Sequence, residues 1–433
     1  MRPLGSFRAS SGVTHVRFTR HTYLVTYLLA MNLLAFINIF LAGQKLSSLW
    51  LMPVAIGSAL ITVNYLQRLT AAERPVVSFV DLCVLAYFFY SILSVGLYVQ
   101  PSNPASPRAY LYGVNLQIMP MLMYFSVKGL DSEDMDRILK FIVVLHVAFA
   151  LIGIFLFFSR PNFYAEYLID TLGFTDTWQI YARLQSYWGS TATGILSAVT
   201  IVLLPNINVS RLVRNLLLVL FLVTIFLAQQ RGAYMSGVLA TAYFLYREKI
   251  SLLRLLVAVG FFAIVLVYLL NRFDLTVDLF VAIINNRIID GLILGDPFAE
   301  RAVSYEKGLA LLSEFPAGLG LGATTSAADD AGAHVGGQVV DAYFMRIAAD
   351  LGVLGLFLLL TLLAVAFFAS LRGARIRGIS VVIMIYVLES AGTNVLDTYY
   401  VSHVFWALLG LAIDGSVVGR VGAALPVAAK GVR

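Results

Sequence analysis

The feature that most constrains this chain is a succession of long apolar blocks with almost no charge inside them. They run over residues 23–41, 49–66, 77–99, 110–127, 138–158, 190–204, 216–228, 233–246, 255–270, 343–369, 379–388 and 401–413. Most are long enough for a helix to cross, or nearly cross, a hydrocarbon core about 30 Å thick. Inside that core the backbone finds no water, so only helices and closed barrels satisfy its N–H and C=O groups. A barrel reads as short alternating segments, and this sequence does not show them. The expected fold is all-α: a polytopic membrane protein of about twelve transmembrane helices, one integral-membrane domain over residues 1–433. Charged residues make up 12% of the chain, about half the usual globular share. That removes the soluble reading of two or three domains that the length alone suggests. No internal repeat is apparent, which weighs against an inverted-repeat transporter.

The net charge of +6 is explained by position rather than by nucleic acid. Arg68, Arg74, Lys128, Arg137, Lys140, Arg211, Arg214, Arg247, Lys249, Arg254, Arg372, Arg375 and Arg377 all fall in alternate loops. The opposite loops carry only Lys45, Arg108, Arg160, Arg183 and Arg231 before the long one. Basic loops face the cytoplasm, so the long loop, residues 271–342, is expected outside, in a periplasm or its equivalent. The basic start is expected to be an uncleaved cytoplasmic tail, because no small-residue cleavage site follows the first apolar block. Cys83 is the single cysteine, which excludes a disulfide within the chain and a zinc cluster built on cysteines.

One stretch, residues 296–355, contains a long part that does not read as lipid-facing helix. Asp296 and Pro297 suit a helix start. Tyr305, Leu309, Leu312 and Phe315 follow at roughly helical spacing and predict one apolar face. Pro316 ends the helix, and Gly318, Gly320 and Gly322 permit a tight turn. Arg301 projects from the early turns, and Arg231 stands between two apolar blocks with almost no loop. An arginine at that depth either snorkels to the interface or faces a cavity. Arg301 is either a solvated partner of Glu300 or Glu306, or a phosphate clamp. Guanidinium offers a rigid fork that matches phosphate oxygens, and two of them would neutralise a departing diphosphate. A base is expected at His334, whose ordinary pKa is near neutral, or at Asp341, which also suits a plain N-cap. Arg183 is a third anion contact or an interfacial anchor. Tyr181, Tyr187 and Trp188 beside it suit an aromatic belt or stacking on sugar rings. Asp329 and Asp330 lack the oxygen-rich spacing of a cation site. His146, Glu389, Asn394, Asp397 and His403 are further polar groups within the apolar blocks, and the stretch from Glu389 to His403 either lines the same cavity or joins helices.

Four segments together resemble one family. QQRGAYMSG is similar to the Ser-Arg-Gly-Ala element of the O-antigen ligase and polymerase superfamily. ERAVSYEKGLALLSEFPAGLGLG resembles its second arginine element, and VDAYFMRIAADLGVLG its helix ending in Gly-x-x-Gly. ARLQSYWGSTATG resembles the stretch that opens its middle span. The resemblance implies a metal-independent membrane glycosyltransferase with no cofactor beyond its lipid-linked donor. Such enzymes take a glycan from undecaprenyl diphosphate on the outer face of the bacterial inner membrane. The acceptor is lipid A–core in ligases, or another carrier-linked repeat in O-antigen and exopolysaccharide polymerases. By that resemblance Arg231 and Arg301 contact the donor diphosphate. Ligases commonly carry His-Asn where this chain has Asp341-Ala342, a departure that points towards a polymerase-like member. A transporter or flippase of a lipid-linked sugar is the rival reading, and it needs charges along a path through the membrane.

Overall fold

The structure is a computed structural model that describes residues 20–40, 56–57, 60, 78–98, 110–111, 113–128, 130–159, 161–164, 184, 186–250, 260, 299–325 and 340–413. These residues are helical with connecting turns, and no strand occurs among them. The longer helices are α1 (Arg20–Phe40), α2 (Phe79–Tyr98), α3 (Met119–Ser126), α4 (Ser132–Ser159), α5 (Gly189–Leu203) and α6 (Arg211–Ala228). They continue with α7 (Arg231–Glu248), α8 (Ala299–Glu314), α9 (Tyr343–Arg372), α10 (Ile379–Gly392) and α11 (Tyr399–Ala412).

Among the described residues, four helical stretches are long and apolar enough to cross a membrane: Ser132–Ser159, Gly189–Asn206, Arg211–Ala228 and Tyr343–Arg372. Shorter apolar helices occupy Leu24–Ile37, Phe79–Ser94, Ile379–Gly392 and Tyr400–Ala412. The 28 residues of α4 extend about 42 Å, more than a hydrocarbon core requires. Apolar side chains such as Phe89, Phe155, Val238, Phe357 and Phe368 face outward from these helices, an arrangement suited to lipid and costly in water. The expected blocks at 49–66 and 255–270 fall almost wholly outside the described residues.

Helix α5 sits at the centre and is buried on nearly every side. It packs against α6, α7, α4 and α10. Its sequence, GSTATGILSAVTIVL, supplies small residues that let neighbouring backbones approach. Polar side chains tie helices together within the bundle. The Tyr27 hydroxyl bonds His403 Nε2 at 2.8 Å, and His146 Nδ1 bonds Thr200 Oγ1 at 2.5 Å. These two histidines join helices.

The bundle has two chemically distinct ends. At one end the turn before α4 meets the turn before α10: Arg375 donates to the Leu130 carbonyl at 2.8 Å and its backbone N–H to that of Ala412 at 3.0 Å. Asn206 and Arg377 exchange two hydrogen bonds there, and Arg214 pairs with Glu248. Lys128, Arg137, Lys140, Arg211, Arg247, Lys249 and Arg372 belong to the same end by their helix positions. The basic loops expected to face one side are thus gathered on one side wherever they are described.

Helix α9 departs from the single span expected over 343–369. Gly352 has φ 71 and ψ −172, a non-helical conformation that divides the helix. A Cβ there would lie 2.4 Å from the Pro316 carbonyl oxygen, so the break also requires a residue without a side chain. The part after the break extends about 30 Å and suffices to span. The part before it stays at the other end of the bundle and packs on α8.

Candidate active site

The end of α10 touches three elements that each carry one of the predicted site residues. Three contacts, one to each element, make the junction. The buried Glu389 side chain lies against the start of α7: its Oε1 accepts from Ser236 Oγ at 2.8 Å. Two residues later the Ala391 carbonyl accepts from the Tyr305 hydroxyl of α8 at 2.6 Å. Just past the helix, Asn394 Nδ2 donates to the Val340 carbonyl at 2.8 Å.

Each contact places one predicted residue. Arg231 is the first residue of α7, one position before Gly232, and is exposed. The chain reaches it through a two-residue turn in which Gln229 is left-handed (φ 51) and Gln230 is extended. Gln230 Nε2 donates to Ser190 Oγ at 2.7 Å, which ties the turn to the start of α5. Arg301 stands in the first turn of α8 as described, about one turn before Tyr305; its side chain is not among those described. Asp341 follows Val340 and is exposed. It is not the helix cap: Ala342 holds that position with no side-chain hydrogen bond, so the plain N-cap reading of Asp341 falls.

His334, Asp329, Asp330, Arg183, Tyr181, Asp296 and Pro297 lie outside the described residues. Beside Arg183, the Leu184 N–H donates to the Leu227 carbonyl at 2.8 Å, which sets that neighbour next to the end of α6. Tyr187 and Trp188 correct an expectation. They form neither a lipid-facing belt nor a free stacking platform. The Tyr187 hydroxyl and the Trp188 indole N–H both donate to Asn32 Oδ1, at 3.0 and 3.2 Å, and Trp188 stacks on Tyr400. The reason is that a polar acceptor on α1 sits within the bundle, and aromatic donors satisfy it there.

The face of α8 is also rotated from the predicted one. Ser304, Gly308 and Leu311 are buried, whereas Leu309 is exposed. Gly308 decides this, because a Cβ on it would lie 2.7 Å from Met345 Cβ. The helix turns its smallest residue to α9 and comes closer than the predicted leucine face would allow.

Sequence reasoning missed two charges in the block read as a lipid-spanning helix. Arg346 and Asp350 are both fully buried in α9. The Asp350 carboxylate accepts from the Gly322 N–H (3.1 Å), the Thr324 N–H (2.9 Å) and the Thr324 hydroxyl (2.8 Å). It thereby fixes the glycine turn that follows α8. Arg346 pairs with Asp397 beyond α10. Burial pushes the Asp397 carboxyl up to about 7 against the opposing pull of Arg346. The available signal was the spacing itself: opposite charges four apart, inside an apolar block, rarely face lipid.

Among the described residues no group of three or more His, Cys, Asp or Glu is placed to share a metal ion. No family model matches the chain, and no curated protein matches it either. What the arrangement offers chemically is therefore read from its geometry. An exposed guanidinium, a second arginine-bearing helix and an exposed carboxylate share one end of the bundle, opposite the basic loops.

Proposed function

We propose that the chain is a membrane glycosyltransferase that moves a glycan from undecaprenyl diphosphate to a sugar hydroxyl. The polymerase of an O-antigen or exopolysaccharide is the leading reading. The observation that carries it is the convergence of Arg231, the helix of Arg301 and Asp341 on the end of α10. Supporting it are the four segments that resemble the O-antigen ligase and polymerase superfamily.

In this reading Arg231 and Arg301 hold the donor diphosphate. The acceptor oxygen attacks the anomeric carbon, a new C–O bond forms, and the bond to the diphosphate oxygen breaks. The electron pair leaves on the diphosphate, where the two guanidinium groups offset the growing charge. The acceptor proton passes to Asp341 or His334 as general base. Arg183 is a third candidate contact for the diphosphate. The basic end of the bundle faces the cytoplasm of a bacterial inner membrane, and the site faces the periplasm.

A flippase fits less well, because the candidate cations collect at one end rather than along a path through the bundle. A ligase fits less well because Asp341-Ala342 replaces His-Asn. The deciding test incubates purified protein with a carrier-linked repeat, with and without lipid A–core. Growth of the carrier-linked chain supports a polymerase, and transfer to lipid A–core supports a ligase. Absence of any new glycosidic product removes the enzyme reading.

A further inference from the structure

The proposed chemistry uses Arg231 and Arg301 but gives no role to a buried carboxylate packed on the helix that begins with Arg231. Glu389 is 2% exposed at the end of an otherwise apolar helix. Two of its contacts are with the first two turns of α7. Ser236 donates to Oε1 at 2.8 Å, and a Cβ on Gly232 would lie only 2.2 Å from Oε2. The carboxylate is thus seated against the first two turns of the helix that begins with Arg231. The partial positive charge of a helix N-terminus favours a carboxylate nearby. The same turn of α10 reaches α8 through Ala391, and Asn394 just past it reaches residue 340. Burying a carboxylate is unfavourable unless it is compensated, so mere space-filling does not account for an acid at this position.

We propose that Glu389 is a positioning residue: its carboxylate locks the first turn of α7, and with it Arg231, in register with the helix that carries Arg301. This rests on the reading of the site given above. Arginines set before the donor arrives need no rearrangement as charge develops on the diphosphate, and misplacement by about 1 Å costs up to about a hundredfold in rate. The carboxylate itself is not needed to bind the anion, and its charge opposes binding. The role therefore predicts that turnover and anion affinity separate.

Glu389→Gln keeps the shape and an acceptor for Ser236 but removes the charge. In purified protein its kcat is expected to fall by about tenfold to a hundredfold. The inhibition constant of inorganic diphosphate should stay unchanged or fall. Gly232→Ala, which pushes the carboxylate off the helix start while leaving it charged, should also lower kcat. A merely structural role would lower the melting temperature and weaken diphosphate binding in step with kcat, and that result overturns the assignment. Unchanged kcat in Glu389→Gln overturns it too. The reading of the site is tested separately: if Arg231→Ala binds inorganic diphosphate as the unaltered protein does, that reading fails. If Arg231→Ala loses diphosphate while Glu389→Gln keeps full turnover, only the role of Glu389 fails.

Discussion

The two ends of the bundle handle positive charge in opposite ways. At the basic end cations are spread over several loops, and the contacts seen there are separate. Arg214 meets Glu248, Arg375 meets the Leu130 carbonyl, and Arg137 meets Glu133 one turn away on α4. At the other end the described residues include few cations, and the elements that carry Arg231 and Arg301 both contact the end of α10, where Glu389 is buried. The difference teaches where specific chemistry resides. Dispersed, separately neutralised charge suits topology and solubility at a membrane surface. Charge brought together by tertiary contacts, beside buried acids that fix the backbone, suits recognition of one anion.

The comparison can be broken or sharpened by substitution. The largest effect is expected from Arg346→Met, which leaves Asp397 and Asp350 buried without their cation. Such a loss costs about 3–5 kcal/mol, measured by chemical unfolding in detergent, and Asp397→Asn should recover part of it. Loss of less than about 1 kcal/mol would show that the pair is not what joins α9 to the segment after α10. Next comes Arg231→Ala. Product formation should fall by about a hundredfold to a thousandfold, while Arg214→Ala at the basic end changes it by less than about twofold. Equal losses from the two would erase the distinction between the ends. Gly308→Val should then cost about 1–3 kcal/mol through overpacking against Met345, with a matching fall in activity as α8 shifts. Smallest is Arg137→Ala. Its side chain is 52% exposed beside Glu133, so removal should change stability by no more than about 0.5 kcal/mol.

Much of the helical framework was legible before any coordinate. The two-residue passage at Gln229 and Gln230 follows from apolar blocks that nearly touch, and the gathering of basic loops follows from their alternation. Arg231 and Asp341 were legible as candidates because charge at such positions is rarely idle. Less was legible where a residue answers to a distant partner. Leu309 fits a helical stripe as well as Gly308 does, but only Gly308 lets α8 approach Met345. Tyr187 and Trp188 looked interfacial because nothing local reveals Asn32, more than 150 positions away.

By itself the sequence determined that this chain is helical and apolar enough for a membrane, and which of its loops carry the positive charge. Those properties depend on local composition and on the cost of an unsatisfied backbone in hydrocarbon. Only the tertiary structure decided that α7, α8 and residue 340 meet at the end of α10, that Arg346 and Asp350 are interior, and that α9 breaks at Gly352. These depend on contacts between segments far apart in the chain, where a single missing Cβ or one buried carboxylate selects among packings that local pattern leaves equal.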